Sequence, residues 1–228
     1  MTAARFRHVC LIGATGLVGR AVIAAAVGRE DVRIRAVARG ETPLPEGARM
    51  EMVLAPVAGW PDAIAATRAQ VLVCALGTTM RAVGGDREAF RAVDHDLVLE
   101  SARAAKAAGI GQMILVSSVG ADRGSGNFYL RTKGEVEEAL GRLQFPRLDI
   151  LRPSLLLGHR GETRSLERAG QALAPLMNMC LHGSWRRYRA IRAATVAQAI
   201  LALSHEKARG RFVHEHDAML RAIRRAGD

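Results

Sequence analysis

The stretch His8-Val9-Cys10-Leu11-Ile12-Gly13-Ala14-Thr15-Gly16-Leu17-Val18-Gly19 decides how the rest of the chain is read. Its first five residues are mostly apolar and β-favouring, and they stop at a glycine. Two more glycines follow at spacings of three, and Leu17 to Val27 then repeats its apolar residues with a helical period. A strand, a tight turn and a helix in that order open a βαβ unit. The first glycine of such a turn permits the bend, the second lets backbone approach a pyrophosphate, and the third lets the helix pack on the turn. The helix start also offers unpaired N–H groups and the positive end of its dipole to phosphates. Gly13, Thr15, Gly16, Leu17, Val18 and Gly19 are therefore expected to bind a dinucleotide.

Working outward, β-type runs are expected at Arg33–Ala38, Met50–Leu54, Val71–Ala75, Gln112–Ser117 and Leu148–Arg152. Helices are expected over Glu88–Ala108 and Tyr129–Leu143. This alternation implies parallel βαβ units and a doubly wound α/β sheet of Rossmann type, covered on both faces. Beyond Pro153 the pattern loosens. Arg164–Cys180 and Thr195–Ser204 read as helical, Arg211–Val213 as a short strand, and the end as a basic helix. Nothing marks a linker, so residues 1–228 are expected to form one domain.

Composition narrows the classes further. Hydrophobic residues make up 49% and aromatics 4%, so the core must be built from Ala, Val, Leu and Ile. Cys10, Cys74 and Cys180 are odd in number and far apart, which argues against a disulfide framework and a zinc site and points to a reducing cytoplasm. No apolar stretch approaches the roughly 18 residues that would span a bilayer, and no membrane is expected. The net charge of +11 is almost all arginine. That excess suits nucleic acid, an acidic surface or a phosphorylated small molecule, but it also suits a GC-rich coding sequence, and it names no partner.

The chain has only two tyrosines, and three lysines, yet Tyr129 and Lys133 stand four residues apart. Chance would give such a pair with a probability of about 0.03. On a helix the two share a face, and the cation favours the ionised phenol, so the phenol can exchange a proton with a carbonyl oxygen. Ser117 and Ser118 close a strand eleven to twelve residues earlier, where a hydroxyl could hydrogen-bond the same oxygen. Leu76-Gly77-Thr78-Thr79 follows another strand at the carboxyl edge of the sheet, where ligands bind in open α/β folds. Arg39 lies twenty residues after Gly19, where users of NAD carry an acid, so NADP(H) is favoured over NAD(H).

These residues resemble the short-chain dehydrogenase/reductase superfamily. More narrowly, Cys74-Ala75-Leu76-Gly77-Thr78-Thr79, Val116-Ser117-Ser118-Val119-Gly120-Ala121-Asp122, Asn127-Phe128-Tyr129-Leu130 and Lys133-Gly134-Glu135-Val136-Glu137 resemble the atypical Tat-interacting-protein oxidoreductase group, over about residues 8 to 157. The resemblance implies that Tyr129 is the general acid/base, that Lys133 lowers its pKa and holds the nicotinamide ribose, and that Ser118 positions the substrate carbonyl. It also implies that Leu151-Arg152-Pro153-Ser154 passes the nicotinamide, with Pro153 in contact, and that residues 154–228 build a small substrate lobe. Two positions depart from the pattern. Asp94 stands about where extended members carry an Asn, and Ala55 where many carry an acid that contacts adenine.

Other candidates read more plainly. His214-Glu215-His216 lacks zinc-protease spacing, so no metal is expected. Asp94 and Asp96 beside His95 read as an exposed helix face. Trp185-Arg186-Arg187-Tyr188-Arg189 mixes aromatics with cations as single-strand binders do, but reads first as a lid or subunit contact. The expected activity is hydride transfer between NADP(H) and a small-molecule carbonyl or alcohol. The alternative is a non-catalytic NADPH-binding regulator with a protein partner. A homodimer is a further expectation; specific nucleic-acid binding is not.

Overall fold

The computed structural model describes residues 6–158 and 183–227. Its first strand, β1 (Arg7–Ile12), runs into helix α1 (Leu17–Ala25), and the chain returns through β2 (Val32–Ala38) to β3 (Met50–Leu54). Helix α2 (Trp60–Ala66) leads to β4 (Val71–Cys74). Next come α3 (Arg87–Arg91), a π turn (Ala92–Asp96), α4 (Leu97–Ala107), β5 (Gln112–Val116), α5 (Phe128–Arg142) and β6 (Arg147–Leu151). After β6 lie β7 (Leu156–Leu157), β8 (Ile191–Arg192), α6 (Ala193–Ser204), β9 (Gly210–His214) and α7 (His216–Gly227).

The described strands form a seven-stranded sheet in the order β3-β2-β1-β4-β5-β6-β9, and every neighbouring pair is parallel. This is the expected doubly wound α/β fold. β4 and β5 are buried along their whole length, as strands covered on both faces must be. Alternate residues feed two cores. Val9, Leu11, Val71, Val73 and Ile114 pack with α1, α6 and Met219 of α7. Cys10, Ile12, Leu72, Cys74 and Met113 pack with α2, α4 and α5. The chain order reverses between β1 and β4, which leaves a crevice at their carboxyl ends.

The region after Ser154 does two things. β7 and β8 form a separate two-stranded sheet, while β9 joins the main sheet beside β6. The helix expected over Arg164–Cys180, and Cys180 itself, lie outside the described residues. A buried polar cluster fixes β9. Arg147 and Gln112 donate to Asp149 Oδ2 at 2.7 and 2.9 Å, and His214 Nε2 lies 2.8 Å from Asp149 Oδ1. Burial alone would raise the Asp149 carboxyl, but hydrogen bonds from His214, Arg147 and Gln112 outweigh it and hold the group below its ordinary range. No helix among the described residues is long and apolar enough to cross a membrane.

Candidate active site

The glycine turn after β1 is built by close backbone contact. Gly13 has φ +81°, and a β-carbon there would lie 2.4 Å from the carbonyl carbon of Ala75, so the turn rests on the backbone leaving β4. A β-carbon on Gly19 would lie 2.1 Å from the Gly13 carbonyl oxygen, so α1 is pressed against the turn. Gly16 is the N-cap of α1 and provides no side-chain cap, and the first turn holds no acid. The orphan N–H groups of that turn are left for an anion. A backbone turn packed directly on β4 and α1, opening on an uncapped helix start, fits a dinucleotide pyrophosphate.

Beside it lies a cavity of about 320 Å³. Gly16, Leu17, Val18, Leu76, Gly77 and Thr78 line it together with Tyr129 and Lys133, so eight of the expected residues meet at one place. Gly13 and Gly19 support it from behind, and Thr15 is exposed at the tip of the turn. Arg39 is exposed just beyond β2 and makes no ion pair with a described residue.

Helix α5 delivers the phenol and the ammonium. The Asn127 side chain accepts the Leu130 N–H at 3.2 Å, so the helix begins at Phe128, one residue earlier than its apolar pattern suggests. Tyr129 packs edge to face against Phe90, with ring centres 5.8 Å apart. Gly134 lets the loop after β5 cross the helix, since a β-carbon there would lie 2.3 Å from the Arg123 nitrogen.

Lys133 Nζ is 6.0 Å from the centre of the Tyr129 ring, but 2.7 Å from Asp94 Oδ1. Asp94 is 1% exposed, which corrects the reading of Asp94 as part of an exposed helix face. The π turn carries it inward, where its Oδ2 accepts the Thr78 N–H at 2.7 Å. A sequence signal existed. Phe90, Asp94, Val98 and Ala102 recur every four residues, so the acid stands within a buried apolar stripe. Burial alone would lower the Lys133 ammonium, yet the Asp94 carboxylate outweighs it and holds the group above the ordinary lysine value.

The serines divide their roles. Ser117 lines the cavity, but its hydroxyl donates to Glu137 Oε1 at 2.5 Å. Glu137 is itself buried and takes Arg152 Nε at 3.0 Å. Ser118 is not on the cavity wall, and its hydroxyl donates to the Val119 carbonyl at 3.3 Å. The Val119 N–H reaches the carbonyl of buried Pro153 at 2.9 Å, so Ser118 and Pro153 sit at the joint where β5 and β6 end. Cys74 lies beneath the site with its thiol pushed up to about 12, mainly by burial, so it is chemically inert. His214 and His216 are occupied by Asp149 and Asp217.

Residues 13–174 match the family described as NAD(P)H-binding. The chain belongs to the NAD(P)H-binding family. It is 36% identical over 174 residues to "Protein fmp52, mitochondrial" of Emericella nidulans, covering 73% of this chain and 74% of the relative. It is also 44% identical over 128 residues to Protein HTATIP2 of Rattus norvegicus, covering 56% of this chain and 50% of the relative. The superfamily resemblance therefore holds. Among solved structures, UDP-glucose 4-epimerase from Thermotoga maritima superposes with TM-score 0.69 at 13% identity, over 91% of this chain and 76% of that one. A Bordetella bronchiseptica enzyme, WbmG in complex with NAD, superposes with TM-score 0.67 at 13% identity, over the whole of this chain and 81% of that one. These two share the fold with this member of the NAD(P)H-binding family. The expectation of a cytoplasmic location is corrected, because the fungal relatives are named mitochondrial.

Proposed function

We propose that this protein is an NADP(H)-dependent oxidoreductase that interconverts a small carbonyl compound and its alcohol. One observation carries the reading: Tyr129 and Lys133 line the same cavity as the glycine turn and the Leu76–Thr78 segment. The bound nucleotide would supply the hydride chemistry. In reduction, the Tyr129 hydroxyl gives its proton to the substrate oxygen as the carbonyl carbon gains hydride, and an alcohol results. In oxidation, the phenolate recovers that proton. The Lys133 ammonium, paired with Asp94 at 2.7 Å, stands in the same cavity wall as the phenol and orients the nucleotide beside it.

Exposed Arg39 supports the choice of NADP(H), since a guanidinium at the end of β2 that makes no ion pair with a described residue suits a 2′-phosphate. The second reading, an NADPH-binding regulator without turnover, is favoured by the position of Ser118 off the cavity wall. A screen of aldehydes, ketones and alcohols, following nucleotide absorbance, separates them. Turnover that needs Tyr129 supports the enzyme, and tight NADPH binding with no turnover supports the regulator.

A further inference from the structure

Fifteen of the described residues line the cavity, and among them only Asp94 and Lys133 carry formal charges. They face each other at 2.7 Å, with side chains 0% and 6% exposed, so water screens neither. The pair also joins three pieces of the fold. Asp94 comes from the π turn, Lys133 from α5, and the Thr78 N–H from the segment after β4. Gly77 passes directly over it, since a β-carbon there would lie 3.6 Å from Asp94 Oδ1 and 3.9 Å from Lys133 Nζ. The other titratable groups acting on Lys133 are Tyr129 and Cys74. The Cys74 thiol, at about 12, is uncharged at neutral pH.

We infer that Asp94 is a positioning residue that sets the charge of the reaction site: by pairing with Lys133 it makes the cavity wall neutral rather than cationic, so the wall does not repel the positively charged oxidised nicotinamide. The inference rests on the oxidoreductase reading above, in which Lys133 stands beside the nicotinamide end of the nucleotide. An amide at position 94 would keep the shape and the acceptor for Thr78 but leave the ammonium uncompensated. The site would then discriminate against the oxidised nucleotide by Coulomb repulsion in a poorly screened environment.

The test compares the affinities of NADP+ and NADPH by calorimetric titration and needs no substrate. In Asp94→Asn the ratio of the oxidised to the reduced dissociation constant should rise by at least about tenfold, the repulsion of two unit charges as far as about 12 Å apart at an effective dielectric near 20. In Lys133→Met, which leaves the carboxylate alone, the ratio should fall by a similar factor. A purely structural Asp94 would weaken both nucleotides alike. The double variant leaves no unpaired charge at positions 94 and 133, so it remains available if either single variant fails to fold; its ratio should return to that of the parent. A double variant whose ratio stays displaced, or an Asp94→Asn protein that binds both nucleotides with an unchanged ratio, overturns the role of Asp94 alone. A parent that binds neither nucleotide overturns the oxidoreductase reading and this inference with it.

Discussion

Gly19 and Gly13 touch so closely that a β-carbon on Gly19 would stand 2.1 Å from the Gly13 carbonyl oxygen. Neither backbone can yield without moving α1 off the turn. Gly19→Ala is therefore expected to destabilise the protein by about 1–3 kcal/mol, the usual range for an overpacked site. It should also abolish nucleotide binding, because the helix start no longer faces the pyrophosphate. Thermal melts and a fluorescence titration with NADPH check both effects. Gly16→Ala, whose β-carbon would lie 3.3 Å from the same oxygen, should keep the fold and lose affinity only.

Tyr129 and Lys133 are expected to fail differently. Tyr129→Phe keeps the edge-to-face packing on Phe90 and removes the proton donor, so turnover should fall by at least about a hundredfold while NADPH binding stays near that of the parent. Lys133→Ala should damage turnover and binding together, and it should also lower the melting temperature because it strands the buried Asp94 carboxylate. Single-turnover kinetics and nucleotide titration on the two variants distinguish these outcomes. A Phe variant with the kcat of the parent would remove Tyr129 from the mechanism.

Arg39 has no ion pair to release among the described residues, so its replacement should cost the fold almost nothing. Arg39→Ala is expected to weaken NADPH by about 1.5–3 kcal/mol, the range for a hydrogen bond to a charged group, and to leave NADH unchanged. Equal affinity of the parent for the two nucleotides would show that no 2′-phosphate contact is made.

Much of the fold was legible because its signals are local. β3 runs from Met50 to Leu54 as expected, and β4 and β5 each end one residue short of their expected ends. The glycine turn and the Tyr129/Lys133 pair were readable because each needs fixed residues at a fixed spacing. Helix α2 was not, since it is only seven residues long and has a proline in its first turn, where proline is tolerated. The pairing of β7 with β8 was also hidden, because two-residue strands carry no periodicity.

The site was less legible where partners are distant in sequence. Lys133 finds Asp94 thirty-nine positions earlier, and Ser117 finds Glu137 twenty positions later. An acid at either position looks like a solvated helix residue unless the apolar stripe around it is counted. The π turn hid Asp94 further, since no composition rule announces where a helix takes an extra residue.

Asp149 offers a test of stability that is independent of the cavity. It is fully buried, and Arg147, Gln112 and His214 all converge on it, so Asp149→Asn leaves the Arg147 guanidinium without its carboxylate inside the sheet. Loss of one partner from a buried ion pair costs about 3–5 kcal/mol, and a gap of that order between parent and variant is expected at neutral pH. The folded carboxyl titrates below its unfolded value of about 3.9. Its contribution is therefore fully present above that value and is lost as pH falls through the lower, folded one. The gap in melting temperature should accordingly hold from neutral pH down to about 4 and then close as the parent takes up the proton. Melts at descending pH check this; a gap that stays constant below pH 4 would assign the loss to packing instead of charge.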